Sequence, residues 1–178
     1  LGDIKGKKLL MVWGQGALAR SYCSVQENLI INSRLGMNIT IAYPEGYDLD
    51  PNVIGKVKKY CAENKTTFEI THDARVGYKD ADLVYCRNWM SPQAYKDGEF
   101  NKADEIKKAL EHKDWICYKE KMELTNNAFF IHPMPVDRGN EVADEIASGR
   151  RSIIYDVAEN RLHVQKAVMA LTMSDYEA

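Results

Sequence analysis

The chain has 178 residues, 45% of them hydrophobic and 28% charged, enough for one globular domain that buries its own core without disulfides or a metal. Its 24 Lys and Arg against 26 Asp and Glu give a net charge of −2, which argues against nucleic acid or an anionic membrane as partner, because both need clustered positive charge. No apolar run approaches the roughly 18 residues of a membrane span, and the opening LGDIKGKKLL lacks the apolar stretch of a signal peptide.

In chain order, residues 8–13 (KLLMVW) read as a first strand, stopped by Gly14 and Gly16. A helix is predicted over 17–35, with Leu18, Tyr22, Val25, Leu29 and Ile30 near helical spacing and Gly36 beyond its end. Residues 38–43 (NITIAY) form a second strand. Asp50 then caps a helix that has Pro51 at its first position and runs to about Asn64. Residues 67–71 are a third strand, and Asp73 caps a short helix. Residues 83–89 (LVYCRNW) are a fourth strand. A polar stretch, 91–100, leads to a charged helix over 102–110, read as a solvated surface. A short helix over 119–124 precedes a fifth strand, 128–132 (AFFIH), and a sixth, 152–156 (SIIYD). The last helix is placed at 161–173, with Met169 and Met173 in the core or at an interdomain face.

Short strands alternating with helices define the α/β class: a doubly wound, mainly parallel, Rossmann-like sheet with helices on both faces. The chain is read as a single domain over 1–178. Cys23, Cys61, Cys86 and Cys117 are too widely spaced for a metal knuckle or a disulfide framework. They read as reduced, partly buried thiols in a cytoplasmic protein.

Ligands of such sheets sit beyond the carboxyl ends of the strands. Gly14-Gln15-Gly16-Ala17-Leu18-Ala19 occupies one such place and matches the G-x-G-x-x-A dinucleotide pattern. The acid that would hold a ribose is missing, since Tyr43 and Pro44 stand at the end of strand two. Nicotinamide-dinucleotide binding is therefore kept as the alternative to the reading below. His132-Pro133-Met134-Pro135 follows the fifth strand. Two prolines remove N–H donors and leave carbonyl oxygens facing outward, and Met134-Pro135 is a candidate cis bond. The stretch reads either as an acceptor site for a ligand N–H₂ or as a rigid exit turn with His132 bonded to backbone. Arg161, after Glu159-Asn160, is either an anion fork at a helix mouth or a local salt bridge. Arg87 ends strand four as an anion ligand or a solvated arginine, and Trp89 reads as packing.

Taken together, HPMPVDRGNEVADEI and SIIYDVAENRLHVQKAVMALTM resemble the C-terminal signature of the aspartate/ornithine carbamoyltransferase family. There a His-Cys-Leu-Pro or His-Pro-Leu-Pro turn precedes an Asn-Arg that opens a late helix. AYPEGYDLDP and YKDADLVYCRNW are similar to segments of the family's second-substrate domain. The resemblance implies transfer of a carbamoyl group from carbamoyl phosphate to an amine or amide nitrogen, with no cofactor and no metal. It implies that Pro133 and Met134 offer carbonyls to the carbamoyl N–H₂, that His132 and Pro135 shape the turn, and that Arg161 binds carbamoyl phosphate.

Three departures qualify the resemblance. The family's Ser-x-Arg-Thr phosphate loop belongs to an N-terminal half that has no counterpart here. The domain is therefore expected to be inactive alone and to need its missing N-terminal domain, the full-length protein forming a homo-oligomer, typically a trimer. Pro133 stands where ornithine enzymes have cysteine. Arg87-Asn88-Trp89-Met90-Ser91 stands where those enzymes carry Asp-x-Trp-x-Ser-Met, so a cation replaces the acid that would hold ornithine's ammonium. That reversal disfavours ornithine and favours an acid or neutral amide, with Arg87 and Ser91 in the second-substrate pocket.

Overall fold

The computed structural model describes residues 2–16 and 20–173. The elements in chain order are β1 (Lys8–Trp13), α1 (Cys23–Arg34), β2 (Asn38–Ala42), α2 (Pro51–Asn64), β3 (Phe68–Thr71), α3 (Ala74–Tyr78), β4 (Leu83–Arg87), β5 (Tyr95–Lys96), β6 (Glu99–Phe100), α4 (Lys102–Leu110), α5 (Lys119–Met122), β7 (Phe129–Ile131), α6 (Asp144–Ala147) and α7 (Ile154–Met173). Five strands form one parallel sheet in the order β3-β2-β1-β4-β7. The central strands β1 and β4 are almost wholly buried, as a sheet covered on both faces requires. α1 packs against α2 and α3 against α5, and both α1 and α3 contact β1 and β2.

Local chemistry sets the element ends. The Asp50 carboxylate accepts the Asn52 N–H at 2.8 Å and Pro51 fills the first helical position of α2, where its missing N–H costs nothing. Asp73 caps α3 through the N–H groups of Arg75 (2.8 Å) and Val76 (3.3 Å). The polar stretch after β4 contains the β5–β6 hairpin closed by Asp97-Gly98, a turn pair that favours hairpins.

Several sequence expectations are corrected. Residues 152–156 do not form the expected strand. Ser152 makes a single bridge to Phe130, and α7 starts at Ile154. Ile154 is buried and Val157 packs on the core, so the apolar residues of this stretch repeat every three positions and not every two. The last helix therefore begins seven residues before the predicted 161. The first helix begins at Cys23, and Arg20 to Tyr22 are not helical; Ala17, Leu18 and Ala19 lie outside the described residues. Met169 and Met173 are exposed, which removes the core alternative and leaves the interdomain face. Cys61, Cys86 and Cys117 are buried while Cys23 is exposed, and all four are free thiols.

α3 approaches the sheet through Gly77. A Cβ there would lie 2.7 Å from Ala42 Cβ and 3.1 Å from Leu10 Cδ1. Alanine is the better helix former by up to about 1 kcal/mol, but the overlap with two core side chains outweighs that gain. Gly77→Ala is expected to destabilise the domain by about 1–3 kcal/mol, read as a lower urea midpoint at unchanged m-value.

Candidate active site

The sheet order reverses between β1 and β4, so the loops after these strands diverge and leave a crevice. One residue, Glu141, organises the crevice floor. It is fully buried, yet it arrives on a loop and not on a strand. Its Oε1 accepts the Asn88 N–H at 2.7 Å, just beyond β4. Its Oε2 accepts the Asp137 N–H at 3.0 Å and lies 3.0 Å from His132 Nε2, just beyond β7. Its carbonyl accepts the Cys117 N–H at 3.0 Å and the Cys86 S–H at 3.1 Å. A buried carboxylate is tolerable only when its lone pairs are filled in this way. Burial alone would raise the Glu141 pKa. The interactions with His132, hydrogen bond and electrostatic, and the N–H groups of Asn88 and Asp137 outweigh it, and the net shift is downward.

The His132-Pro133-Met134-Pro135 bend stands directly on this floor. His132 is fully buried and stacks on Tyr85 of β4, centroids 6.2 Å apart. Its Nδ1 accepts the Met134 N–H at 3.1 Å. That bond requires a lone pair on Nδ1, so the ring proton sits on Nε2 and points at Glu141. Met134 is held at φ 56°, and Met134-Pro135 is a cis peptide. Pro133 and Met134 are half-buried and Pro135 is exposed, so the bend is open to the crevice. Neither the Pro133 nor the Met134 carbonyl accepts a hydrogen bond among the described residues. Both remain available as acceptors.

Two guanidinium groups face the same floor. Arg87 is buried, with Nη1 3.4 Å from His132 Nε2 and donating to the Pro135 carbonyl at 3.5 Å. Arg20 lies 4.0 Å from Glu141 Oε1. The Nε–H of each is buried and makes no hydrogen bond among the described residues. Two positive charges stand against the one carboxylate of Glu141. Ser91 is placed otherwise than the sequence suggested: its hydroxyl and N–H bind the buried Glu105 carboxylate of α4 at 2.6 and 2.8 Å. Arg161 is the eighth residue of α7, exposed, and not at a helix mouth. It forms no ion pair with Glu159 or Asp156.

The far side of the crevice is closed by aromatic packing. Trp13 donates its indole N–H to the Trp89 carbonyl, and Trp89 donates its own to the Tyr47 carbonyl, both at 2.9 Å. Trp13 and Tyr47 also touch, with centroids 4.7 Å apart. A concavity of about 550 Å³ lies elsewhere. It sits at the amino end of β7 between α5 and α6, lined by residues such as Met122, Ala128, Phe130 and Ile146. It shares no side chain with the crevice.

The glycine turn does not hold a nucleotide. Asn88 Nδ2 donates to the carbonyls of Gly14 (3.2 Å) and Gly16 (3.4 Å). A Cβ on Gly14 would lie 2.9 Å from Cys86 Sγ and 3.1 Å from Glu141 Cα. The space that a pyrophosphate would need is filled by protein, and α1 starts seven positions beyond Gly16. Gly14 serves close packing of β1 against the Glu141 loop. Among the described residues no group of three or more His, Cys, Asp or Glu is arranged to hold a metal, and no helix is long and apolar enough to cross a membrane.

Sequence reasoning reached Arg87 and the bend but missed Glu141, Asn88 and Arg20. Glu141 lies nine positions after His132 in a polar loop whose spacing carries no periodic signal. Arg20 was absorbed into a helix that starts three residues later.

A five-stranded parallel sheet with helices packed on it and a crevice where its strand order reverses defines a doubly wound α/β domain. The chain belongs to the family described as aspartate/ornithine carbamoyltransferase, Asp/Orn binding domain, which matches residues 5–172. It is 36% identical over 176 residues to the ornithine carbamoyltransferase of Thermococcus kodakarensis, covering 97% of this chain and 51% of that protein. It is 33% identical over 173 residues to the N-acetylornithine carbamoyltransferase of Xylella fastidiosa, covering 97% and 50%. The crystal structure of acetylornithine transcarbamylase complexed with acetylcitrulline superposes with a TM-score of 0.88 at 32% identity, over 95% of this chain and 50% of that one. An N-acetyl-L-ornithine transcarbamylase mutant complexed with carbamyl phosphate and N-succinyl-L-norvaline matches equally well, with a TM-score of 0.88. The chain thus spans about half the length of the relatives it matches. The dinucleotide alternative is not supported.

Replacing Glu141 by glutamine sets an N–H₂ against buried donors. Glu141→Gln is expected to cost about 3 kcal/mol, measured by denaturant unfolding near neutral pH. The depressed native pKa also fixes a pH dependence. The unfolded chain takes up the proton near its ordinary 4.5, above where the native carboxylate does. This stabilisation is therefore complete above that pH and is lost as pH falls through the native value. A series of unfolding curves between pH 6 and 3 is expected to show a shallower acid loss in Glu141→Gln than in wild type.

Proposed function

We propose that this domain is the second-substrate half of an enzyme that moves a carbamoyl group from carbamoyl phosphate to an amine or amide nitrogen. The substrate nitrogen's lone pair attacks the carbamoyl carbon to give a tetrahedral intermediate. The C–O bond to phosphate then breaks, phosphate leaves with the electron pair, and the nitrogen gives up a proton. Positioning and charge stabilisation carry such a step. The free carbonyls of Pro133 and Met134 suit a carbamoyl N–H₂, and His132 and Pro135 hold their direction. Arg161 is assigned to carbamoyl phosphate by its place in the family signature.

The observation that carries the substrate reading is the pair of unsatisfied guanidinium N–H groups of Arg20 and Arg87 beside the bend. A buried guanidinium without a full set of acceptors favours a carboxylate. Arg87 stands where the acid for ornithine's ammonium would be, so the second substrate presents an acid or a neutral amide there and is not ornithine. Ser91 contributes through Glu105, by fixing the loop after β4. Carbamoylation of a panel of amines and amides by the intact gene product tests this. Substrates with an acid or a neutral amide in place of ornithine's ammonium are expected to be carbamoylated and ornithine poorly; efficient use of ornithine overturns the assignment. Arg87→Met is expected to lower kcat/KM for the preferred substrate roughly 10–100-fold, the equivalent of about 1.5–3 kcal/mol for a charge-assisted hydrogen bond.

The reading includes a partner half. Every residue from 159 to 173 is exposed, including Leu162, Val168, Met169 and Leu171. A helix of 20 residues, about 30 Å long, that shows water its apolar side chains suits burial against another surface. We assign that surface to the carbamoyl-phosphate-binding domain of the full-length cytoplasmic protein, which assembles as a homo-oligomer, a trimer by family resemblance. Amide hydrogen exchange over 159–173 is expected to be fast in the isolated domain and strongly slowed in the intact protein. Equal rates in both would remove this role from α7.

A further inference from the structure

We propose that Glu141 is a positioning residue that locks His132 in one neutral tautomer and ties the carbamoyl-binding bend and the second-substrate loop to a single carboxylate. The catalytic part of this inference rests on the transfer reading above; the tautomer part does not.

The argument starts from His132. Both ring nitrogens are committed, Nδ1 as acceptor from the Met134 N–H and Nε2 as donor to Glu141. Protonating Nδ1 would set two N–H groups against each other inside a fully buried site and release Met134. Moving the proton from Nε2 to Nδ1 would do the same and would also leave Glu141 facing a lone pair. Arg87 Nη1, 3.4 Å from Nε2, is itself a donor and cannot replace the carboxylate. His132 therefore serves as a fixed pin under the bend, with no proton to exchange during the reaction.

The other carboxylate oxygen acts on the second subsite. Through the Asn88 N–H it fixes the start of the loop that carries Trp89 and Ser91. The Asn88 side chain continues the link to the carbonyls of Gly14 and Gly16 and, through its Oδ1, to the Arg20 N–H at 3.2 Å. Arg20 itself lies against Glu141 Oε1. The titratable and charged groups facing the His132–Glu141 pair are Arg20 from the segment before α1, Tyr85, Cys86 and Arg87 from β4, and Asp137 from the Glu141 loop. Burial keeps the Tyr85 and Cys86 protons on, so the arginines are the only cations set against the carboxylate among these groups.

The test has two arms. Long-range ¹⁵N–¹H correlation spectra of the histidine-labelled domain should show His132 with an unprotonated Nδ1 and a protonated Nε2. A protonated Nδ1 overturns the tautomer claim without any variant. In the intact enzyme, Glu141→Gln is expected to lower kcat about 100-fold, the cost of roughly 1 Å of misplacement, and to raise KM for both substrates. Glu141→Asp should restore much of the kcat. A folded Glu141→Gln enzyme with wild-type kcat, or one altered in KM for a single substrate, removes the coupling role. Should wild type itself transfer no carbamoyl group to any amine or amide, the transfer reading fails while the tautomer measurement still decides the first claim.

Discussion

One buried carboxylate holds this domain's working end together. Glu141 collects N–H donors from the loops after β4 and β7 and from its own loop, and its carbonyl takes a thiol from β4 and an amide from the segment before α5. Parallel sheets leave their strand ends as independent loops, each free to find its own geometry. Here the loops converge on a charge that cannot stay buried unless all of them arrive. The geometry of the bend, the loop after β4 and the glycine turn after β1 therefore follows from one requirement for satisfaction and not from three separate ones.

The charge balance around that point underlies the second-substrate reading proposed above. An acid in place of Arg87 would sit beside Glu141 and His132 in a dry environment, where two carboxylates repel strongly. With arginine there, the cluster carries surplus positive charge and unsatisfied guanidinium N–H groups. On the proposed reading, arginine at this position changes what can enter while leaving the Glu141 floor intact.

Much of the fold was legible in the sequence. The strands are short apolar runs bounded by Gly, Pro and Asp, and the caps at Asp50 and Asp73 depend only on local chemistry. The misreadings have physical causes. Residues 152–156 are apolar and β-branched enough to pass for a strand, and only packing of Ile154 and Val157 shows the helical period. The bend at 132–135 was legible because proline restricts backbone directly. Its support was not, because a carboxylate that gathers donors from distant loops leaves no spacing pattern. Arg161 carried a motif but not its geometry, since the start of α7 decides where that side chain stands.

The indole relay across the crevice wall bears on how such a domain can move. Trp13 hangs on the Trp89 carbonyl and Trp89 on the Tyr47 carbonyl, so the segments beyond β1, β2 and β4 are fastened to one another in series. A single segment cannot flap over a substrate without breaking a buried indole bond, which has no water to turn to instead. Any closing motion must therefore swing this entire wall as one rigid plate, with its hinge outside the sheet.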